Sequence, residues 1–207
     1  MNPNKLLPIV CVGTSTGGPR ALQQVIPLLP KELGAPLLIV QHMPMYFTKA
    51  LAERLNAISA IQVKEAIDGE KMSNGMAYIA PGDKHMTLEA GQDGDRRIII
   101  NQEPPIKGLR PSYNILLQSI AHLTGVNVLT VTLTGMGHDG LEGIRLIKDR
   151  LRHHAIAESE TTATIYGMPK AIIDAGLADD IVPIESIGQT ITRWVERGYG
   201  NGNESIS

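Results

Sequence analysis

Cysteine is almost missing from this chain: Cys11 is the single one in 207 residues. A lone thiol excludes an internal disulfide framework and a cysteine-built zinc cluster. Cys11 lies in the apolar run 6–12 and reads as a buried, inert core residue. Aromatics are scarce too, at 3% of residues, too few for base-stacking platforms or aromatic sugar-binding surfaces. Neither sign of charge dominates: 19 Lys and Arg stand against 21 Asp and Glu, whereas a general nucleic-acid binder would be basic. No run approaches the roughly 18 apolar residues of a membrane span. The N-terminus, with one Lys and a proline-broken apolar segment, lacks a signal-peptide pattern. These absences lead to the expectation of a cytoplasmic protein with no nucleic-acid partner and no membrane insertion. What remains is 43% hydrophobic residues, mainly Ile, Leu, Val, Ala and Met, enough to build one sizeable core. A single domain is expected over 1–207, its core at about 6–197, with a polar, glycine-rich tail at 199–207.

The apolar pattern alternates between short runs and helical spacing. Residues 6–12 read as a buried strand ending at Gly13, and 19–28 as a helix stopped by Pro30. A second strand over 36–41 precedes a helix over 46–55. The middle changes character. Segments 63–65, 76–79, 85–89 and 96–101 are short strand candidates punctuated by Asp68-Gly69, Pro81-Gly82 and Asp93-Gly94 turns. They predict an antiparallel insertion. Alternation then resumes, with helices at 112–123 and 141–151 around a strand at 126–133. A short strand near Ala155, a helix from Pro169, a strand at 181–183 and a helix at 187–197 follow. This order predicts an α/β fold: a doubly wound, mostly parallel sheet with an antiparallel insertion and helices on both faces.

Three strand-end segments carry candidate chemistry. Gly13-Thr14-Ser15-Thr16-Gly17-Gly18 joins the first strand to the first helix. It can be read as a phosphate cradle at a helix N-terminus, although neither G-x-G-x-x-G nor G-K-[ST] is present. It can equally be a G-x-S-x-G nucleophile elbow presenting Ser15, or a plain helix-capping turn. A serine nucleophile needs a base, and the base an orienting acid. Of six histidines, His42 (in Gln41-His42-Met43-Pro44) and His138 sit where parallel strands would end beside Ser15. His85, His122, His153 and His154 do not. Asp139, in Thr134-Gly135-Met136-Gly137-His138-Asp139-Gly140, reads either as that acid or as an N-cap of the helix after it. No metal-ligand spacing is present, and the Asp93–Asp95 cluster lacks the later ligands of an EF-hand.

Together these segments resemble the signature segments of chemotaxis protein-glutamate methylesterases, the CheB family. Asp68-Gly69-Glu70, Tyr78 through Met86, Arg110-Pro111-Ser112 and Tyr166-Gly167-Met168-Pro169-Lys170 extend the resemblance to roughly residues 6–195. It implies a Ser-His-Asp triad of Ser15 as nucleophile, His42 as base and Asp139 as orienting acid. It also implies that the Met136 backbone N–H lies at the oxyanion hole and that Thr16 is a polar site residue. The order Ser…His…Asp differs from the Ser…Asp…His of α/β-hydrolases. The implied reaction is hydrolysis of glutamate methyl esters on methyl-accepting chemotaxis receptors, with deamidation of receptor glutamines, and no cofactor. Two departures stand out: Ala157-Glu158-Ser159-Glu160-Thr161 stands where the family commonly has Ala-Gln-Asp/Asn-Glu-Ala/Ser, and Asn114 where it commonly has Asp. Many members carry an N-terminal receiver domain. Few residues precede the first strand here, so the expectation is a catalytic domain without the receiver domain, either a stand-alone esterase or a fragment, with a separate phosphorylated receiver protein as candidate regulator. A non-catalytic phosphate- or nucleotide-binding module, an inactive scaffold of a sensory array and a serine hydrolase of another protein or small ester are the competing readings.

Overall fold

The computed structural model describes residues 6–91 and 95–200. Seven strands form one parallel sheet: β1 (Leu7–Thr14), β2 (Leu37–Gln41), β3 (Gln62–Glu65), β4 (Met76–Ile79), β7 (Val126–Thr132), β8 (Arg152–Glu158) and β9 (Asp180–Val182). Their spatial order is β3-β4-β2-β1-β7-β8-β9. The remaining pair, β5 (His85–Ala90) and β6 (Arg96–Asn101), forms an antiparallel hairpin. The antiparallel insertion is therefore smaller than the sequence suggests: β3 and β4 pair in parallel and extend the main sheet. Short runs such as Gln62–Glu65 show no clear difference between an edge of a parallel sheet and an antiparallel ribbon.

Strand alternation divides the core. Val10 and Val12 of β1 point to one face, Ile9 and Cys11 to the other. The first face is covered by α1 (Gly18–Val25), α2 (Phe47–Ile58) and α6 (Ile184–Gly200). In α6, Ile184, Ile187, Ile191 and Val195 form the apolar stripe. The second face is covered by α3 (Tyr113–Ile120), α4 (Leu141–Arg150), α5 (Gly167–Asp174) and the β5–β6 hairpin. Cys11 is fully buried, which pushes its thiol well up, and it is an inert member of that second core.

Several boundaries move. The first helix gives way to a 3-10 turn at Ile26–Leu28, where Pro27 cannot continue the α-helical bonding. The strand near Ala155 is seven residues long, because β7 supplies ladder partners from Arg152 to Ala157 and β9 supplies one for Glu158. Helix α6 runs to Gly200, so the expected tail is helical at its start; the rest of that tail and the Asp93-Gly94 turn lie outside the described residues. No helix among the described residues is long and apolar enough to cross a membrane.

The chain leaves β1 toward β2 on one side and returns to β7 on the other. In a doubly wound sheet the carboxyl ends at this reversal frame a crevice.

Candidate active site

Register decides which residues share that crevice. Thr14 is paired with Gln41, and Gly13 with Thr132. Ser15, His42 and the loop from Leu133 to Gly140 therefore leave the sheet side by side. The ends are tied together beyond the ladders. The Gln41 amide donates to the carbonyls of Ser15 and His42, both at 3.0 Å. Thr134 O accepts Ser15 N–H at 3.0 Å and the Thr14 hydroxyl at 3.0 Å. Thr134 Oγ1 donates to Thr16 O at 2.9 Å.

His42 and Asp139 meet across β1, with Nε2 2.7 Å from Oδ2. Asp139 is almost fully buried and accepts three further hydrogen bonds. They come from the Ser112 hydroxyl (3.0 Å) and the backbone N–H groups of Tyr113 (2.7 Å) and Asn114 (3.0 Å). Burial alone would raise this carboxyl. The bond from His42, the two N–H groups and the nearby imidazole outweigh it and hold the carboxyl below its ordinary value.

This corrects the reading of Asp139 as the cap of its own following helix. The N-cap of α4 is Gly140, with no side-chain cap, and Asp139 instead holds the N-terminus of α3. Asn114, in the first turn of α3, accepts Gly143 N–H of α4 at 2.8 Å. The two helices thus exchange caps, which fixes the Asp139 loop against α3.

Tyr113 is the residue the sequence reading missed. Its ring is fully buried and its hydroxyl donates to Cys11 O at 2.8 Å. The ring packs against Gly13, so close that a Cβ there would overlap it. Gly13 is therefore required by close approach rather than by the turn. Gly135 has a similar reason: a Cβ would stand 2.8 Å from Ser15 Cβ. The glycines in these two motifs signal a close neighbour, but not which one.

The other expected residues fall as follows. Ser15 is partly exposed and its hydroxyl makes no hydrogen bond among the described residues, including none to His42. Thr16 is exposed, and Met136 is 70% exposed. The backbone N–H groups of Thr16 and Met136 donate to nothing among the described residues and remain available. His138 is exposed and meets Lys107 Nζ at 3.2 Å, apart from the His42–Asp139 pair. His85, His122, His153 and His154 bond to Pro104 O, Arg150, Thr130 and Asp180 respectively, away from the pair. Among the described residues no cluster of His, Cys, Asp or Glu could hold a metal.

With Nε2–H donated to a carboxylate, the neutral imidazole of His42 keeps its lone pair on Nδ1. A proton acceptor, a free serine hydroxyl and unspent backbone donors thus meet at one sheet edge. The CheB methylesterase family profile matches residues 10–191. The chain belongs to the CheB methylesterase family.

Its relatives include the protein-glutamate methylesterase/protein-glutamine glutaminase of Bacillus subtilis, 48% identical over 189 residues, 91% of this chain and 53% of that protein. The protein of the same name from Archaeoglobus fulgidus is 44% identical over 187 residues, 90% of this chain and 53% of that one. The chain thus spans about half the length of the curated relatives it matches. The crystal structure of the Thermotoga maritima CheB methylesterase catalytic domain is similar with a TM-score of 0.86 and 41% identity. That match covers 90% of this chain and 97% of the other. The mostly parallel sheet with its small antiparallel hairpin is thus the fold of a CheB catalytic domain.

Proposed function

We propose that the chain hydrolyses glutamate methyl esters on methylated chemotaxis receptors, and deamidates receptor glutamines, with Ser15, His42 and Asp139 as its triad. The observation that carries this reading is the 2.7 Å bond between His42 and a buried, four-bonded Asp139 at the strand end next to Ser15. The names of the family relatives supply the substrate class.

In the reaction, His42 Nδ1 takes the Ser15 proton as Oγ attacks the ester carbonyl. Negative charge develops on the carbonyl oxygen, where the free N–H of Met136 can donate to it. The imidazolium returns its proton to the departing methoxide, leaving a glutamyl-serine ester and methanol. A water, deprotonated by the same nitrogen, attacks that ester and releases glutamate and Ser15. For a glutamine substrate the proton goes to departing ammonia instead. Asp139 keeps the proton on Nε2 in the resting enzyme and stabilises the imidazolium that forms. The four donors on Asp139 keep it ionised and in place, so the imidazole is presented with Nδ1 outward. The scheme uses these side chains, backbone donors and water.

Methanol release from methylated receptor tests the reading. Ser15→Ala lowers kcat by roughly 10⁴–10⁶. A variant that releases methanol at near the wild-type rate removes Ser15 as the nucleophile.

A further inference from the structure

A second buried carboxylate stands next to the site and is not used by the mechanism above. Glu158 ends β8 at the same carboxyl edge and is 1% exposed. Its Oε2 accepts Thr134 N–H at 2.8 Å, and its Oε1 accepts the Thr162 hydroxyl at 3.1 Å. Thr162 Oγ1 in turn accepts Ile184 N–H at 3.1 Å. A chain of hydrogen bonds thus runs from the start of α6 through Thr162 and Glu158 to Thr134. Thr134 is the residue that holds the nucleophile turn: its carbonyl accepts Ser15 N–H and its hydroxyl donates to Thr16 O. Gly135, next along, abuts Ser15 Cβ. A displacement of Thr134 therefore reaches Ser15 through two contacts and its neighbour Thr16 through a third.

We propose that Glu158 is a positioning residue for the nucleophile: its carboxylate, acting through Thr134, holds the Ser15 turn in its reactive placement. The inference rests on Ser15 being the nucleophile. A charged acceptor binds both donors more strongly than a neutral one, so protonation of Glu158 slackens the link. The groups facing Glu158 bear on when that happens. Glu158 and Thr134 line a pocket whose other charged side chains are Arg20 of α1 and Glu185 of α6, and no ion pair to Glu158 forms among the described residues. Its β9 neighbour is Val182, and the remaining partners are threonines. Burial pushes the carboxyl up, and the bonds from Thr134 and Thr162 offset this only in part. Glu158 thus takes up its proton at higher pH than an ordinary glutamate. Protonation of Glu158 therefore adds to the loss of rate on the acid side.

Glutamine fits the same place. Its carbonyl can accept Thr134 N–H and its amide can donate to Thr162 Oγ1, whose hydroxyl turns to Ser159 O at 3.5 Å. Glutamine does not titrate. The test is the second-order rate of Ser15 labelling by a fluorophosphonate, measured from pH 5 to 8.5 alongside methanol release from methylated receptor. Glu158→Ala lowers the labelling rate about ten- to a hundredfold, the scale of a misplaced reacting group. Glu158→Gln recovers part of that loss, and its labelling rate lacks the acid-side contribution that protonation of Glu158 makes in the wild type. Wild-type labelling in Glu158→Ala, or superimposable pH profiles for Glu158→Gln and wild type, overturns the inference. If Ser15→Ala abolishes labelling in that same experiment, the nucleophile assignment survives such a failure. If Ser15→Ala still labels, both fall.

Discussion

Replacing Asp139 by Asn separates the structural and chemical parts of its role. The carboxylate takes its four donors in two pairs: Oδ2 receives His42 and Tyr113 N–H, and Oδ1 receives Ser112 and Asn114 N–H. Each pair combines one adaptable donor with one fixed backbone N–H. An asparagine amide must turn its NH2 toward one pair, and in either orientation a backbone N–H at the start of α3, buried at Tyr113 and partly buried at Asn114, meets another donor. An orphaned buried donor costs about 1–3 kcal/mol. For a chain of this size that is a Tm loss of roughly 2–12 °C, at about 2–4 °C per kcal/mol. When the NH2 faces His42 it also forces the imidazole proton onto Nδ1, so Ser15 loses its base. Both orientations remove the charge that stabilises the imidazolium. The expected fall in kcat is on the order of 10⁴. Methanol release and thermal unfolding followed by circular dichroism, on one preparation, read both effects. A variant with wild-type Tm refutes the cap exchange between α3 and α4. A variant that keeps kcat within tenfold of wild type refutes the role of Asp139 toward His42.

Other consequences follow from buried contacts. Gly13→Ala drives a methyl group into the Tyr113 ring, and overpacking of this kind costs about 1–3 kcal/mol. In the double variant Gly13→Ala/Tyr113→Ala the two losses, measured by urea unfolding, sum to less than their separate values. Strict additivity would show that the ring and Gly13 do not press on each other. His153 bears on acid stability. Burial, with smaller contributions from His154 and Lys148 against Asp179, lowers its pKa to about 4. The folded chain therefore binds this proton later than the unfolded chain, whose imidazole titrates near 6.5. The stability His153 contributes is complete above about pH 6.5 and is lost as pH falls from there toward about 4. His153→Gln should flatten the decline of unfolding free energy across that window, and an unchanged slope counts against the assignment.

The apolar runs 6–12, 36–41 and 126–133 show where strands lie, and the glycines around Ser15 and Asp139 show where the chain turns sharply after them. Both are local signals, because strand burial and turn geometry are written in neighbouring residues. Glu158 also stands out in the sequence, but only as an unusual residue. That its carboxylate reaches Thr134 depends on β7 and β8 ending together. The antiparallel reading of 63–65 and 76–79 failed for the same reason: strand type is a property of the partner, and β4 takes β2 and β3 as parallel neighbours.

The sequence by itself determined the alternation of strands and helices, the inert burial of Cys11, and Ser15, His42 and Asp139 as candidates at strand ends. Only the tertiary structure decided that His42 presents Nε2 to Asp139, that Asp139 caps α3 rather than α4, and that Tyr113 closes against Gly13. Each of those facts is a contact between segments far apart in the chain. Such contacts are set by the register of the parallel sheet and the packing of helices on its faces, which no local window of residues contains.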